Sequence, residues 1–238
     1  MQLCLKNTTK SVMPTYLMPF CRVEIAVQSL IDQRLNVLLI RREEAPYKGF
    51  WALPGGVLRV DLDPDLGAAA VRVAKERLGI PPPNLCQMKT VGAKGRDPRG
   101  EAGWGLSVVY RALIAEGAAT FAPGKRVTEL RWVPVDELPT KIAFDHAELI
   151  AQAVNQTRSD IAKLSFPTGF VPERFTLGEL QVLSEQVLGH TIDKASFRRK
   201  LRDRGLVEAI EGEQLRGSAH RPSAIFRLRR SAVQPNGI

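Results

Sequence analysis

One predicted helix has the residue spacing of a divalent-cation site but lacks most of the ligands. Glu76 is a carboxylate at a ligand position, whereas Val73 and Arg77 occupy two neighbouring positions on the same helix face. Carboxylates grouped on such a face bind Mg²⁺ or Mn²⁺, and the cation then activates water for pyrophosphate cleavage. This face offers one carboxylate, one apolar side chain and one guanidinium. The sequence therefore predicts a site that binds phosphate, with Arg77 in the electrostatic place of a metal, and does not hydrolyse it.

The surrounding segment, residues 55–80, resembles the Nudix box of enzymes that split nucleoside diphosphates linked to another group. Four residues match that pattern: Arg72, Glu76, Gly79 and Ile80. Val73 and Arg77 stand where the pattern has glutamates, and Gly56 precedes Arg72 by two residues more than the pattern allows. An ordinary amphipathic helix after a glycine turn is the alternative interpretation of the segment.

Predicted elements on both sides of the box complete the resemblance to a Nudix domain over residues 19–157. Residues 22–31 and 35–42 have the composition of strands, and a strand followed by a glycine turn is predicted at residues 47–56. Downstream come a GRDPRG loop, a strand with the sequence LSVVYRALIA, and a helix opened by Asp145 in FDHAELIAQAV. RDPR and FDHAE resemble features of the ADP-ribose-related branch of the family.

A nucleotide pocket is predicted where the Gly55-Gly56 turn, the box helix with Glu76, and the RDPR loop converge. Guanidinium groups suit a pyrophosphate because their donors pair with two oxygens at once. The candidates for this role are Arg72, Arg77, Arg96 and Arg99. The candidates for stacking on adenine are Phe50, Trp51 and Trp104. Three questions stay open: whether Arg72 pairs only with Glu76, whether Trp51 belongs to the core, and whether Phe144 and His146 line the pocket or pack the last helix.

Composition and charge limit the remaining possibilities. The chain has 238 residues and a net charge of +9, and residues 158–238 carry 14 Lys and Arg against 9 Asp and Glu. Three scattered cysteines without a CxxC pair indicate neither disulfides nor a zinc site. No apolar run approaches 18 residues, so we expect a cytoplasmic protein without membrane spans. Residues 1–18 and 231–238 are predicted to be tails.

The C-terminal residues 173–230 have the pattern of a winged helix-turn-helix, joined to the first domain by a linker at residues 158–172. Thr176 and Glu179 form a capping-box pattern at the start of a first helix, which Gly189 ends. Asp193 precedes a second, basic helix, in which Phe197 and Leu201 are spaced to face the first. Two short strands follow, with a polar hairpin tip between them.

Basic residues of the second helix and of the hairpin predict binding to double-stranded DNA. In a winged helix-turn-helix the second helix enters the major groove, and the wing contacts the backbone or the adjacent minor groove. The candidates are Lys194, Ser196, Arg198, Arg199 and Arg202 on the helix, and Arg216, His220 and Arg221 on the wing. A winged helix that binds a protein is the alternative.

The two halves together resemble the NrtR-type Nudix-related transcriptional regulators. The resemblance rests on the degenerate box, FVPERFTLGEL, DKASFRRKL and RGSAHRPSAIFRL. It implies an α+β fold, in which a Nudix-like α/β/α sandwich with a mixed sheet precedes the winged helix. It also implies a homodimeric repressor of NAD-metabolism genes that binds a palindromic operator, requires no cofactor or metal, and releases DNA when ADP-ribose or a related nucleotide binds. A metal-dependent hydrolase with an accessory winged helix and a nucleotide-sensing adaptor are the alternatives.

Overall fold

A mixed β-sheet forms the centre of the N-terminal part of the chain in a computed structural model that describes residues 16–215 and 223–229. Its strands are β1 (Phe20–Ile31), β2 (Arg34–Arg42), β3 (Trp51–Ala52), β4 (Gly55–Val57), β5 (Cys86–Lys94), β6 (Trp104–Ile114) and β7 (Val127–Pro134). Helices α1 (Leu66–Leu78) and α2 (His146–Ala162) pack against the sheet. Strand β1 is buried over most of its length because it lies at the centre of this sheet.

The sheet order is β3-β2-β1-β6-β5, with β4 also paired to β1 and β7 to β2. Strands β1 and β6 are parallel, and every other pair of this sheet is antiparallel. The turn between β1 and β2 is tight because Asp32 and Gln33 both have positive φ, the geometry that two-residue hairpins favour. The two strands predicted on either side of this turn are confirmed.

Alternate residues of β1 supply two separate apolar layers, as the two-residue period of a strand requires. Val23, Ile25 and Val27 belong to the layer that includes α1, whereas Ala26 belongs to the layer that includes α2. The α/β/α sandwich with a mixed sheet, predicted from the sequence, is therefore confirmed.

Helix α1 begins after a loop formed by residues 58–65. Asp65 caps the helix by accepting a hydrogen bond from the Ala68 amide at 2.7 Å. The predicted Gly55-Gly56 turn is wrong, because both glycines lie in β4 and pair with β1. A side chain at position 55 would displace the Glu24 carboxylate, since a Cβ there would lie 1.8 Å from Glu24 Oε2.

The C-terminal part is a winged helix-turn-helix, as predicted. Its elements are α3 (Leu177–Leu188), α4 (Lys194–Asp203), β8 (Val207–Leu215) and β9 (Ser223–Leu228). Thr176 and Glu179 form the capping box of α3, and Gly189 ends that helix with φ of 77°. Asp193 caps α4 by accepting a hydrogen bond from the Ser196 amide at 2.8 Å.

The predicted linker at residues 158–172 is instead a packed connection. Its first five residues continue α2, which ends at Ala162 rather than near residue 157. The residues that follow include four buried side chains: Leu164, Phe166, Phe170 and Val171. Proline and glycine correctly indicated an irregular backbone, but they carry no information on whether that backbone is covered.

The connection joins the two halves into one apolar cluster, which includes Ile161 of α2, Leu180 of α3 and Phe197 of α4. Polar contacts reinforce it: Arg158 Nε donates to the Val187 carbonyl at 3.1 Å, and an Arg204 guanidinium nitrogen donates to the Lys163 carbonyl at 3.0 Å.

Two parts of the sequence-based prediction lie outside the described residues. They are the wing-tip candidates Arg216, His220 and Arg221, and most of the two tails. Within residues 16–215 and 223–229, no helix has the length and apolar character to cross a bilayer.

The packed connection gives the first testable prediction. Phe166→Ala removes a fully buried ring from the shared cluster. We expect it to lower the free energy of unfolding by about 3–5 kcal/mol, measured by urea denaturation. Leu17→Ala is the control. Leu17 is 81% exposed, so its truncation should change the free energy of unfolding little. Because the cluster is continuous, fluorescence and circular dichroism should report one transition; two separate transitions would contradict the shared core.

Candidate functional site

A cavity lined by arginines opens where β1, β2, β4 and the end of α1 meet. Its volume is about 190 Å³. Five guanidinium-bearing residues line it: Arg22, Arg42, Arg77, Arg99 and Arg126. Pockets for whole drug-sized ligands are usually about 300–1,000 Å³. The cavity therefore suits the charged portion of a ligand, and the remainder would extend along the surface.

The guanidinium groups of the cavity repel one another in a partly desolvated space. Burial lowers the pKa of Arg42 to about 10, and the charges of Arg99 and Arg22 add to this effect. Burial also lowers the pKa of Arg77, with Arg22 and Arg126 contributing in the same direction. An anion in the cavity would favour the charged forms of all these groups. The electrostatics therefore select a ligand with negative charge.

Arg77 is held with its guanidinium against the glycine strand β4. Its Nε donates to the Gly55 carbonyl at 2.8 Å, and a terminal nitrogen donates to the Lys125 carbonyl. Because both contacts use only part of the donor set of a guanidinium, further N–H groups of Arg77 are available to a ligand. The side chain thus presents a fixed positive charge to the cavity.

Val73, Glu76 and Arg77 together do not fit a divalent cation. Val73 is fully buried beneath Gly56, and a Cβ on Gly56 would lie 2.7 Å from a Val73 methyl group. Glu76 is already paired with Arg72 at 3.1 Å. Among the described residues, no group of three or more His, Cys, Asp or Glu is placed to hold a metal ion.

Two of the four predicted pyrophosphate ligands point elsewhere. Arg72 makes two hydrogen bonds to Asp63, at 2.6 and 2.7 Å, in addition to its contact with Glu76. Arg96 makes two to the Asp145 carboxylate, at 2.6 and 2.9 Å. Neither lines the cavity. The proposed pairing of Arg72 with Glu76 is present, but Asp63 is its stronger partner, and this loop acid has no fixed place in the box pattern.

The predicted stacking residues also lie outside the cavity wall. Trp51 is buried in the apolar cluster beside α2. It is therefore a core residue, which was the alternative to stacking on adenine. Trp104 packs beside Gly92 between β5 and β6, and Phe50 contacts Tyr47 with ring centroids 5.5 Å apart. The aromatic ring that does line the cavity is Phe20.

Sequence reasoning missed Arg22, Arg42 and Arg126 because they come from three separate segments. For Arg22, the sequence does contain one signal. Arg22 and Glu24 interrupt an apolar strand at a spacing of two, which places them on one face, and they form a buried ion pair at 2.8 Å.

His146 supports the glycine strand from behind the cavity. Its Nδ1 accepts a hydrogen bond from the Leu53 amide at 2.9 Å, and its Nε2 lies 3.8 Å from Glu24 Oε2. Complete burial lowers the pKa of this imidazole below its usual value. His146 is therefore a packed structural residue at the start of α2, which is one of the two roles that the sequence left open for it.

The outer face of α4 carries exposed positive charge. Phe197 and Leu201 are buried against the rest of the domain, whereas Lys194, Arg199 and Arg202 are exposed. The other two candidates of this helix, Ser196 and Arg198, are half-buried. Ser196 lines a cavity of about 290 Å³ between α2, α3 and α4, which turns its side chain away from the outer face.

Comparisons with known proteins match a family to each half of the chain. Residues 22–153 match the NUDIX domain, and residues 167–228 match the NrtR DNA-binding winged helix domain. A protein of Acinetobacter baylyi described as an ADPR responsive transcriptional repressor, NtrR, is 35% identical over 214 residues, which cover 90% of this chain and 83% of that protein.

Solved structures are similar along nearly the whole chain. The crystal structure of Shewanella oneidensis NrtR complexed with a 27mer DNA has a TM-score of 0.69 at 30% identity, and the match covers 89% of this chain and 94% of that one. The NUDIX domain of the same protein, complexed with ADP ribose, has a TM-score of 0.53 at 32% identity, covering 59% and 90% respectively.

Burial of neutral His146 gives a prediction about pH. The unfolded chain takes up a proton at this residue below the ordinary pKa of about 6.5, and the folded chain resists it, so stability falls as pH drops below that value. We expect a loss of about 1.4 kcal/mol per pH unit from this group, down to its folded pKa. Urea denaturation between pH 5 and 7.5 measures the slope.

His146→Asn is the matched variant, since its amide oxygen can still accept from Leu53. It should have a shallower dependence on pH than the parent chain. Equal slopes in the two proteins would show that the folded chain protonates His146 as readily as the unfolded chain does.

Proposed function

Because this chain belongs to the NUDIX family and shares the winged helix of the NrtR regulators, we propose that it represses NAD-metabolism genes and releases their operators when ADP-ribose or a related nucleotide binds. The arginine-lined cavity carries the proposal. A pyrophosphate supplies two adjacent negative charges, and guanidinium groups pair with such oxygens in two-donor contacts. The same chain presents exposed arginines on a helix suited to the major groove.

Binding without cleavage is the second part of the proposal. Val73 is buried and apolar, and the one carboxylate of the helix face, Glu76, is neutralised by Arg72. Arg77 supplies positive charge near the phosphates but, unlike a metal, cannot lower the pKa of a bound water and deliver hydroxide. We therefore assign the cavity to sensing, with no requirement for a metal.

A two-fold dimer in the cytoplasm is the third part. Two copies related by such an axis would present two α4 helices to successive turns of the major groove and would bind a palindromic operator. Ligand binding then changes DNA affinity only if it favours one relative placement of the two winged helices over another.

The sensing role is tested with the operator upstream of the chain's own gene. We expect the protein to bind this DNA in a gel-shift assay at moderate salt, and ADP-ribose to weaken the binding. Arg77→Ala removes a charged donor from the cavity, so the affinity for ADP-ribose, measured by calorimetry, should fall about tenfold to a hundredfold, or about 1.5–3 kcal/mol.

Arg34→Ala is the control, because Arg34 pairs with Asp136 and Glu137 outside the cavity. It should leave the affinity for ADP-ribose unchanged. The same samples are incubated with ADP-ribose and Mg²⁺ or Mn²⁺, and the products are separated. Turnover at an enzymatic rate would overturn sensing without cleavage in favour of a hydrolase.

The exposed face of α4 gives a separate prediction. Arg199→Ala should weaken operator binding by about 1–3 kcal/mol and relax the preference at one base pair, if its guanidinium pairs with a guanine edge. Fluorescence anisotropy on the operator and on single-base variants measures both effects. Arg34→Ala is again the control, because it removes the same charge at a position outside α4. An Arg199→Ala protein that binds the operator as tightly as the parent chain would exclude α4 from the interface.

A further inference from the structure

A residue two positions before α2 has an unusual backbone conformation. Phe144 has φ of 55°, in the left-handed region that bulky side chains rarely adopt. Such a conformation persists only where the surroundings fix it on both sides. Here the Ala143 amide donates to the Trp51 carbonyl at 2.8 Å, and the next residue, Asp145, is held by Arg96.

The ring of Phe144 lies beneath two arginines of the cavity. The guanidinium carbons of Arg42 and Arg99 lie 5.1 and 4.8 Å from its centroid, within the range of a cation–π contact. The ring of Tyr47 contacts it edge-on at 4.7 Å. Phe144 itself does not line the cavity. It therefore contacts the ligand-facing arginines without being a ligand-facing residue.

The loop between β5 and β6 grips the start of α2 in two places. Arg99 sits over the Phe144 ring, and Arg96 makes its two hydrogen bonds to Asp145, the N-cap of α2. The Asp145 carboxylate makes no capping bond within its own helix. The start of α2 is thus held by the loop between β5 and β6, and not by a capping bond within the helix.

The other end of α2 holds the winged helix. Arg158 donates to the Val187 carbonyl near the end of α3, and the carbonyl of Lys163, which follows α2, accepts from Arg204, which follows α4. Helix α2 therefore extends from the arginine cavity to both helices of the DNA-binding part.

We propose that Phe144 is the positioning residue that couples occupation of the cavity to the placement of the winged helices; the inference rests on the proposed function. An anion in the cavity attracts Arg42 and Arg99 away from the face of the ring. The contacts that fix the left-handed conformation then weaken, the start of α2 shifts, and its far end moves with α3 and α4. Ligand and DNA are coupled because each favours a different arrangement of this one element.

The test measures by what factor ADP-ribose changes the affinity for the operator, and not the affinity for either ligand alone. For each protein, the dissociation constant of the operator is determined by anisotropy without ADP-ribose and with saturating ADP-ribose. We expect a ratio of about 10 or more for the parent chain, within the usual range of allosteric coupling. Phe144→Leu, which keeps an apolar side chain but removes the π-face, should reduce the ratio below about 3. Phe144→Tyr keeps an aromatic ring and should keep the ratio of the parent chain.

Phe121→Leu is the matched control. It removes a ring that contacts Trp132, with the centroids 6.3 Å apart, and Phe121 packs on the apolar layer that includes α1 and does not line the cavity. At saturating ligand, this variant should keep the ratio of the parent chain. Loss of coupling in Phe121→Leu, or full coupling in Phe144→Leu, overturns the proposal.

Hydrogen exchange on the parent chain tests the same proposal without a variant. ADP-ribose should change the exchange rates of amides in the first turn of α2 by about fivefold or more and leave β5 unchanged. Release of the operator with no change at the start of α2 overturns the role of Phe144 alone. A parent chain that binds the operator but ignores ADP-ribose overturns the proposed function, and the coupling role with it.

Discussion

Shared burial of α2 is the constraint on which both functional surfaces depend. One side of this helix completes the layer over the sheet, and residues at its end, such as Ile161, belong to the same apolar cluster as Phe197 of α4. Protein interiors are close-packed, so a helix that belongs to two packed regions cannot shift against one without a response in the other. The connection at Leu164 and Phe166 removes the freedom that an exposed linker would allow. Cavity and DNA-facing helix are therefore mechanically joined even though no residue belongs to both.

The cavity differs from a metal site in its surplus of cations as well as in its shortage of carboxylates. Val73 and Arg77 offer no attraction for a cation, but a neutral pocket would not hold an anion strongly either. Arg22 and Arg42, brought in by neighbouring strands, supply the opposite charge. Although burial and neighbouring charges lower the pKa of Arg42 to about 10, it remains protonated near neutral pH. The cost of holding these cations together is relieved when an anion enters.

Local patterns in the sequence predicted local structure well, and failed where distant residues decide the outcome. The Thr176–Glu179 capping box and the Asp193 cap each depend on residues within three positions, and both are present. The pairing of Arg72 with Glu76, four residues away, could be foreseen and is present, but its pairing with Asp63 of the preceding loop could not, because it depends on how that loop folds. Burial of residues 164–171 depends on α3 and α4, which no local pattern reports. Two arginines of the cavity, Arg77 and Arg99, were among the residues that the sequence indicated, whereas its other arginines come from elements remote in the chain.

The close approach of Val73 to Gly56 also limits which side chains position 73 can accept. A glutamate there would place a carboxylate where methyl groups now fill the space beneath a strand in which even a Cβ would collide. That carboxylate would be buried beside apolar side chains, with Arg77 and not a metal ion as the nearby cation on its helix face. A change of charge alone would therefore not turn this helix into a metal site, because the space that a longer side chain needs is already filled.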